Sequence, residues 1–270
     1  MAKLTKQQSK AHRDAVTLLE KNVLTLDEKM FVFENWQEGA EHDNGIAGAF
    51  FTPLDYANDF KLEVCGPKIL DLCAGIGVLA FAWFHFRHHD TPPQITCFEV
   101  NPAYVAIGKK LLPEATWICA DVFDVWRDLP CDFDTVISNP PFGRLMTDRK
   151  APRYTGPEFE LKIVDIAAHL GTFGAFILPQ ASTGFRYSGA QYYERTDSPK
   201  AAKFLADTGL QFEAGCGIDT TVLQDQWKQV NVITEIACIE FPDHAPALQP
   251  DPSPLPAATE QLSLFAAEEV

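Results

Sequence analysis

The chain has 270 residues, of which 46% are hydrophobic and 22% charged. This composition is typical of a globular protein with a sizeable core and excludes a fibrous or wholly disordered chain. Acidic residues outnumber basic ones by 37 to 22, giving a formal net charge of −15, which argues against holding nucleic acid by bulk charge but leaves room for a local basic patch.

Cysteine spacing and the length of the apolar runs narrow the class of protein further. The seven cysteines form no Cys-x-x-Cys pair, which argues against a zinc ribbon or a disulfide framework and favours reduced thiols without a metal site. The first residues lack the apolar core of a signal peptide, and no run approaches the roughly 18 apolar residues of a membrane span. We therefore expect a soluble, cytoplasmic protein without a membrane partner.

Residues 1–45 are polar with helical spacing and predict a helical N-terminal extension, in which Thr25 and Glu28 form a capping box. From Lys68 onward, short apolar runs alternate with helical stretches, which predicts an α/β fold with a mostly parallel sheet. The predicted strands are Lys68–Cys73, Gln94–Glu99, Thr116–Ala120, Phe133–Ser138, Gly174–Pro179 and Val232–Phe241, with helices such as Ala103–Leu112 and Phe159–Leu170 between them. The last strand is more amphipathic than the others, as an antiparallel partner would be.

The composition changes after Phe241. Residues 243–270 begin with a proline-rich stretch, which predicts a disordered, extended tether rather than a helix or a central strand. The folded domain is therefore expected to end near residue 242.

A glycine-rich turn follows the first predicted strand, where residues 71–77 read Asp-Leu-Cys-Ala-Gly-Ile-Gly. Glycines at such a turn let the backbone approach a ligand closely, and the next helix offers its amides. Glu99 ends the second predicted strand and Asp121 follows the third. Because the carboxyl ends of parallel strands meet at the ligand-binding edge of an open sheet, we expect Asp71, Glu99 and Asp121 at one site. There Glu99 can accept both hydroxyls of a ribose, and Asp121 can accept a hydrogen bond from an adenine amino group.

A second motif follows the fourth predicted strand, where residues 138–143 read Ser-Asn-Pro-Pro-Phe-Gly. Prolines have a fixed φ and no N–H, so the carbonyls of this loop are held rigidly, and the side chain of Asn139 adds another acceptor. Together these groups can hold both hydrogens of an exocyclic amine and direct its lone pair at an electrophile. Phe142 offers a face on which a planar base can stack. A sulfonium methyl donor suits such a loop, because alignment matters more than acid–base help.

These motifs resemble those of the S-adenosylmethionine-dependent amino methyltransferases, in particular the adenine-N6 DNA methyltransferases. Residues 71–77 are similar to their glycine-rich methyl-donor motif, residues 139–142 to their Asn-Pro-Pro-aromatic signature, and residues 49–53 to the segment that closes over the methionine part of the donor. The resemblance covers about residues 45–180. It implies a Rossmann-like methyltransferase fold, with a mostly parallel seven-stranded sheet and an antiparallel last strand, in a domain over residues 46–242.

The resemblance also implies S-adenosylmethionine as the cofactor, and transfer of its methyl group to the N6 amine of adenine in DNA. The target base would be extruded from a duplex to reach the loop. The implied cofactor contacts are Phe51, Thr52, Asp71, Gly75, Gly77, Glu99 and Asp121, and the implied catalytic residues are Asn139, Pro140 and Phe142.

Two groups of residues predict contacts with the nucleic acid. Basic side chains crowd the segment after the catalytic motif and predict phosphate contacts; they are Arg144, Arg149, Lys150 and Arg153. Arg186 and Tyr187 belong to a second group of aromatic and arginine residues, which can stack on unpaired bases or, equally, pack a loop onto the core.

The end of the chain predicts a protein partner. Residues 261–265 read Gln-Leu-Ser-Leu-Phe and resemble the short peptide by which bacterial replication proteins dock on the sliding clamp. Gln261 would be the polar anchor, and Leu264 and Phe265 would enter an apolar cleft.

Three alternatives to adenine-N6 DNA methylation remain open. The same loop could methylate an RNA base amine, either adenine N6 or guanine N2. Protein glutamine methylation shares the Asn-Pro-Pro pattern but usually has Tyr at the position of Phe142. A third alternative is a clamp-bound accessory protein that binds the methyl donor without catalysis.

Overall fold

The core of the fold is a sheet of six strands. The computed structural model describes residues 5–37, 50–142, 147–227 and 232–242. Within them the sheet has the order β3-β2-β1-β4-β5-β8, and all neighbours are parallel except β8, which is antiparallel to β5. Its strands are β1 (Lys68–Leu72), β2 (Gln94–Glu99), β3 (Thr116–Cys119), β4 (Phe133–Ser138), β5 (Gly171–Pro179) and β8 (Thr234–Glu240). The prediction of a mostly parallel α/β sheet with an antiparallel last strand is therefore confirmed.

Helices cover both faces of this sheet. They are α1 (Lys6–Leu19), α2 (Leu26–Asn35), α3 (Leu54–Phe60), α4 (Val78–His85), α5 (Pro102–Leu111), α6 (Val122–Val125), α7 (Phe159–Ala167), α8 (Gln180–Thr183) and α9 (Pro199–Thr208). Short 3₁₀ segments add Lys61–Glu63, Trp126–Asp128 and Thr220–Gln226. Successive residues of the central strands point to opposite faces: Ile69 and Ile137 join one apolar cluster, Leu70 and Val136 the other. The sheet is therefore buried on both sides, as parallel sheets are.

The expected seventh strand is reduced to a single bridge among the described residues. Next to β8, Glu213 forms the one isolated β-bridge found among the described residues. It pairs with Cys238 through reciprocal backbone hydrogen bonds of 2.9 and 2.8 Å. Gly215 and Gly217 follow with φ of 57° and 77°, a left-handed conformation that turns the chain away from extended pairing. The other two strands, β6 (Phe185–Arg186) and β7 (Glu194–Arg195), form a separate antiparallel ribbon. The prediction of seven strands was therefore wrong by one for the main sheet.

The N-terminal helices are packed into the core of the sheet domain. The predicted capping box at α2 is present, since the Thr25 side chain accepts from the Glu28 amide and the Glu28 side chain from the Thr25 amide. Val32 and Phe33 of α2, like Ala15 of α1, join the apolar cluster that covers β1 and β4. The two helices therefore close one face of the sheet.

The seven cysteines are all free thiols. No helix in the described parts of the chain is both long and apolar enough to cross a bilayer. No cluster of three or more His, Cys, Asp or Glu side chains there has the arrangement of a metal site.

Candidate functional site

One cavity of about 270 Å³ opens at the carboxyl ends of the parallel strands. Asp71 lies near the end of β1, Glu99 ends β2, and Asp121 and Asn139 follow β3 and β4. All four side chains line the cavity, together with Phe51, Thr52 and Gly75. The tertiary structure thus brings together residues that the sequence places at separate strand ends.

The turn between β1 and α4 has three residues in the left-handed region, with φ of 60° at Cys73, 58° at Gly75 and 90° at Gly77. A Cβ on Gly75 would lie 2.7 Å from Cε1 of Phe51, so the turn and the Phe51 segment touch. A Cβ on Gly77 would meet the ring of Trp117 at 2.8 Å. Gly75 therefore shapes the cavity directly, whereas Gly77 opens α4 and packs against β3.

Glu99 closes the glycine-rich turn from the side. Its Oε2 accepts a hydrogen bond from the Gly75 amide at 2.9 Å, and its Oε1 accepts from the Asn101 amide at 2.8 Å. Burial raises the pKa of the Glu99 carboxyl, while these amides oppose the shift. Each oxygen keeps a second lone pair, so the carboxylate can still accept hydroxyl groups from a ligand.

Asp71 is a buried acid without a hydrogen-bond partner. Its side chain is 1% exposed, and neither carboxylate oxygen has a bonded neighbour. Burial raises the pKa of this carboxyl well above its ordinary value, and the charge of Glu99 adds to the shift. The Ala80 amide opposes this rise in pKa, although it does not have the geometry of a hydrogen bond. The cavity thus contains an unsatisfied acidic group that a cationic or hydrogen-bonding ligand would satisfy.

Asn139 is held in one orientation by two acceptors. Its Nδ2 donates to the Phe50 carbonyl at 2.7 Å and to Oγ1 of Thr52 at 3.0 Å. Its Oδ1 is buried and has no hydrogen-bond partner. Because both amide hydrogens are used on the Phe50–Thr52 side, Oδ1 is the unpaired polar atom of the carboxamide, and Asn139 itself lines the cavity.

The three residues that follow Asn139 in the catalytic motif differ from one another in how exposed they are. Pro141 lines the cavity, whereas Pro140 is buried beneath it. Phe142 is 1% exposed, and its ring centre lies 5.4 Å from that of Phe50. The ring predicted to stack on a target base is therefore covered by Phe50 in this structure.

Asp121 and Arg149 meet at the other end of the cavity. Asp121 caps α6, with Oδ1 accepting from the Phe123 amide at 3.0 Å. Its Oδ2 lies 3.1 Å from Nη2 of Arg149, which also pairs with Asp124. Arg149, predicted as a phosphate contact, is therefore bound to the acid predicted to recognise adenine.

The other basic residues predicted to contact phosphates lie in different environments. The prediction for Arg153 needs correction, because Nε donates to the fully buried Asp165 at 2.8 Å and the backbone amide donates to the same carboxylate at 2.6 Å. A buried ion pair of this kind stabilises a loop and leaves no free cation for a phosphate. Lys150 is exposed, and Arg144 lies outside the described residues.

Arg186 and Tyr187 lie on and beside the β6–β7 ribbon. Arg186 pairs with Glu194 at 2.6 Å across the ribbon. The ring of Tyr187 packs against Gly217, where a Cβ would lie 2.9 Å from Cζ. Of the two roles left open for this group, core packing therefore describes Tyr187.

Several residues of the site lacked a signal of their own in the sequence. Phe50 supplies the carbonyl that orients Asn139, but backbone acceptors have no sequence signature. Cys73, Tyr104 and Phe159 line the cavity from a turn and two helices, where apolar spacing indicates core packing. Pro141 also lines the cavity, and its place within the Asn139–Phe142 motif is a sequence signal for that role.

Comparison with known proteins agrees with this geometry. The family model of the methyltransferase small domain matches residues 55–151. A comparison with curated proteins gives no match. Among solved structures, the modification subunit of a putative type I restriction enzyme from Vibrio vulnificus is 13% identical with a TM-score of 0.56, covering 82% of this chain and 51% of that one. A type I restriction-modification methyltransferase subunit from Streptococcus thermophilus is 15% identical with a TM-score of 0.56, covering 81% and 49%.

A third similar structure is a putative class I S-adenosylmethionine-dependent methyltransferase from Listeria monocytogenes, 14% identical with a TM-score of 0.56, covering 88% of this chain and 73% of that one. The chain spans about half the length of the two type I subunits. Its fold is the Rossmann-like fold of the S-adenosylmethionine-dependent methyltransferases.

The cavity fits S-adenosylmethionine, the cofactor of this fold. The unpaired carboxylate of Asp71 suits a ligand with cationic groups, and Glu99 has lone pairs for ribose hydroxyls. At Gly75 the backbone comes close enough to Phe51 that a side chain would not fit. These residues would hold the donor along the edge of the sheet between β1 and β3.

Proposed function

We propose that the protein is an S-adenosylmethionine-dependent methyltransferase that methylates the exocyclic N6 amine of adenine in DNA. The observation that carries this proposal is the free Oδ1 of Asn139, which lines the same cavity as Asp71, Glu99 and Asp121. An oriented acceptor beside a cofactor cavity is the arrangement that an amine nucleophile requires.

The protein's part in the reaction is to orient the amine. Bound S-adenosylmethionine supplies an electrophilic methyl carbon. Oδ1 of Asn139 and the carbonyl of Pro140 accept the two amine hydrogens, which directs the nitrogen lone pair along the line of transfer. The donor would give up its methyl group with breakage of its C–S bond as the C–N bond formed, and the amine nitrogen would release one proton to water.

Burial strengthens this orientation. Phe50 and Thr52 hold the carboxamide from behind through hydrogen bonds of 2.7 and 3.0 Å. Because Oδ1 is excluded from water, an amine hydrogen satisfies an acceptor that is otherwise unpaired. The amide therefore needs no rearrangement when the target arrives, which is how preorganised polar groups accelerate reactions.

A nucleic acid is the proposed partner, with DNA first. Two of the structures with this fold are subunits of type I restriction-modification systems. The second candidate is an RNA base amine, adenine N6 or guanine N2, because the same acceptor suits either base. Protein glutamine methylation is the less favoured outcome, since the motif has Phe142 where Tyr is usual.

Product analysis distinguishes these substrates. The full-length protein is incubated with labelled S-adenosylmethionine and unmethylated DNA, RNA or protein, and the labelled product is identified. We expect N6-methyladenine from DNA. Label found only in RNA or in glutamine side chains would transfer the proposal to the corresponding alternative.

Asn139→Ala tests the mechanism. Removal of one preorganised hydrogen-bonding group typically lowers kcat by about 10²–10³-fold, whereas affinity for S-adenosylhomocysteine should stay within about twofold. Asn58→Ala is the matched control, because Asn58 lies on α3 and bonds to Lys61 away from the cavity. Unchanged kcat in Asn139→Ala would contradict the assigned role, and donor binding without any activity in the parent protein would favour an accessory factor.

We also propose that the C-terminal peptide docks on the replication sliding clamp. Gln261, Leu264 and Phe265 lie outside the described residues, so the proposal stays with the sequence resemblance. Tethering to a clamp raises the local DNA concentration without a basic surface. Clamp binding is compared between the intact chain and a chain ending at Ala258; equal affinities would dismiss the idea.

A further inference from the structure

Arg149 connects the segment after the catalytic motif to the far end of the cavity. Its Nη2 lies 3.1 Å from Oδ2 of Asp121 and pairs as well with Asp124. The centre of its guanidinium is 5.7 Å from the ring centre of Phe123. Its Nε is buried and has no hydrogen-bond partner. The side chain is therefore directed at the α6 end of the cavity rather than extended into solvent.

The backbone of this segment is anchored independently. Lys162 of α7 is 6% exposed, and its Nζ donates to the carbonyls of Thr147 and Arg149, both at 2.8 Å. The Arg149 amide in turn donates to Oγ1 of Thr147 at 3.1 Å. An isolated surface ion pair would contribute little, but here a buried ammonium group sets the backbone from which the guanidinium reaches Asp121.

Arg149 also completes the coordination of Asp121. The Phe123 amide donates a hydrogen bond to Oδ1, and the guanidinium group of Arg149 forms an ion pair with Oδ2. A carboxylate held at both oxygens keeps one orientation and still has lone pairs for another donor. Without Arg149, Oδ2 would lose its one ion-pair partner among the described residues, and the carboxylate could rotate about χ2.

We propose that Arg149 is a positioning residue of the methyl-donor site, which holds Asp121 in the orientation that selects the exocyclic amine of the donor's adenine. The inference rests on the proposed function, because it needs S-adenosylmethionine in this cavity. A carboxylate can only accept hydrogen bonds. Asp121 held in place therefore favours an amine at purine position 6 and disfavours a carbonyl there.

The test compares two ligands by calorimetry on the full-length protein: S-adenosylhomocysteine and S-inosylhomocysteine, in which a carbonyl replaces the amine. Arg149→Met should weaken S-adenosylhomocysteine binding by about two- to fivefold, in line with the loss of a partly exposed ion pair, and should bring the ratio of the two dissociation constants close to one. Arg149→Lys should retain part of the affinity and part of the preference for S-adenosylhomocysteine, because the charge remains without the guanidinium geometry. Arg127→Met is the matched control, since Arg127 is an exposed arginine that lies over the Trp126 ring and does not line the cavity, and this variant should bind both ligands as the parent does.

Each outcome separates this inference from the proposed function. If the parent protein binds neither ligand, the donor site itself is wrong. If the parent binds S-adenosylhomocysteine and Arg149→Met binds it equally well, Arg149 has no part in the site. If both ligands weaken equally in Arg149→Met, so that the preference is preserved, Arg149 has a structural role only and the positioning role is overturned. Thermal melting of each variant shows whether it remains folded.

Discussion

At the scale of single residues, the candidate site depends on which polar atoms are left without partners. Asn139 has both amide hydrogens occupied and Oδ1 free, while Asp71 has neither oxygen occupied. Glu99 and Asp121 are already bonded to the protein and keep only spare lone pairs. A ligand would therefore satisfy Asn139 and Asp71, whereas Glu99 and Asp121 are already oriented by the protein.

The buried carboxyl group of Asp71 predicts that the stability of the protein depends on pH. Because the pKa of this carboxyl is raised in the folded protein above its ordinary value of 3.8, the folded state keeps its proton while the unfolded state ionises. The free energy of unfolding should therefore fall as pH rises above about 4, until the folded-state pKa is passed.

Asp71→Asn removes this ionisation. We expect its stability relative to the parent to increase with pH above about pH 4, by up to about 1.4 kcal/mol per pH unit, until the folded-state pKa of Asp71 is passed. Urea unfolding at several pH values measures the difference. A difference between parent and variant that stays constant with pH would contradict the prediction.

Gly75 predicts a close-contact effect that can be isolated with a matched glycine. Gly75→Ala and Gly209→Ala both place a side chain at positive φ, 58° and 74°, and both should lose about 1 kcal/mol. Only at Gly75 does the new Cβ meet Phe51, at 2.7 Å; at Gly209 nothing lies within 4 Å. Affinity for S-adenosylhomocysteine should therefore fall in Gly75→Ala alone, and an equal loss in both variants would refute the role given to the contact.

At the scale of elements, the edge strand β8 supports the loops beside the site. Glu235 of β8 is buried, and its Oε1 accepts from Gln180 Nε2 at 2.7 Å and from the Tyr187 amide at 2.9 Å. Its Oε2 accepts from the Ser188 hydroxyl at 2.7 Å. One carboxylate thus anchors both α8 and the segment that follows β6.

Glu235→Gln should destabilise this region strongly. Both carboxylate oxygens of Glu235 accept hydrogen bonds, so the NH₂ group of a glutamine would face a donor in place of one acceptor. At least one buried hydrogen bond would be lost, at a cost of about 2–4 kcal/mol. Glu240→Gln is the control, because Glu240 ends the same strand on the exposed side. Denaturant unfolding of both variants is the measurement, and equal stability of the two would show that the buried carboxylate is not an anchor.

The elements themselves were largely predictable from local pattern. β2 and β4 have the predicted bounds, and β1 and β3 end one residue early. β5 begins at Gly171, three residues before the predicted start, because Gly171 and Phe173 pair with β4 although Gly171 and Gly174 weaken the strand signal. The local pattern predicted six strands, whereas the seventh was implied only by the family resemblance. Among the described residues, the Glu213–Cys238 bridge and the left-handed Gly215 and Gly217 stand in its place.

At the scale of the whole molecule, charge limits how nucleic acid can bind. The net charge is −15, and arginines near the site are paired with acids, as Arg149 is with Asp121 and Arg186 with Glu194. Few cations are then available to release counterions from a duplex. Under the proposed function, capture of the target would therefore depend on local contacts, on stacking, or on tethering.

We therefore expect weak, salt-sensitive binding to random duplex DNA. Fluorescence anisotropy between about 50 and 200 mM salt should show weak affinity that decreases further as salt is added, with the shallow slope of a small number of phosphate contacts. Unpaired adenine should be methylated faster than paired adenine, because extrusion from a duplex costs a few kcal/mol. Duplex affinity that is unchanged at high salt would contradict this expectation.

The sequence by itself determined the α/β class, most strand bounds and the placement of Asp71, Glu99, Asp121 and Asn139 at strand ends, because these follow from periodicity within short windows. Only the tertiary structure decided what each side chain does. Asn139 is oriented by groups 89 and 87 residues away, Phe50 and Thr52, and Arg149 is bound to an acid on another element. Such contacts depend on how distant segments pack, and no local pattern encodes them.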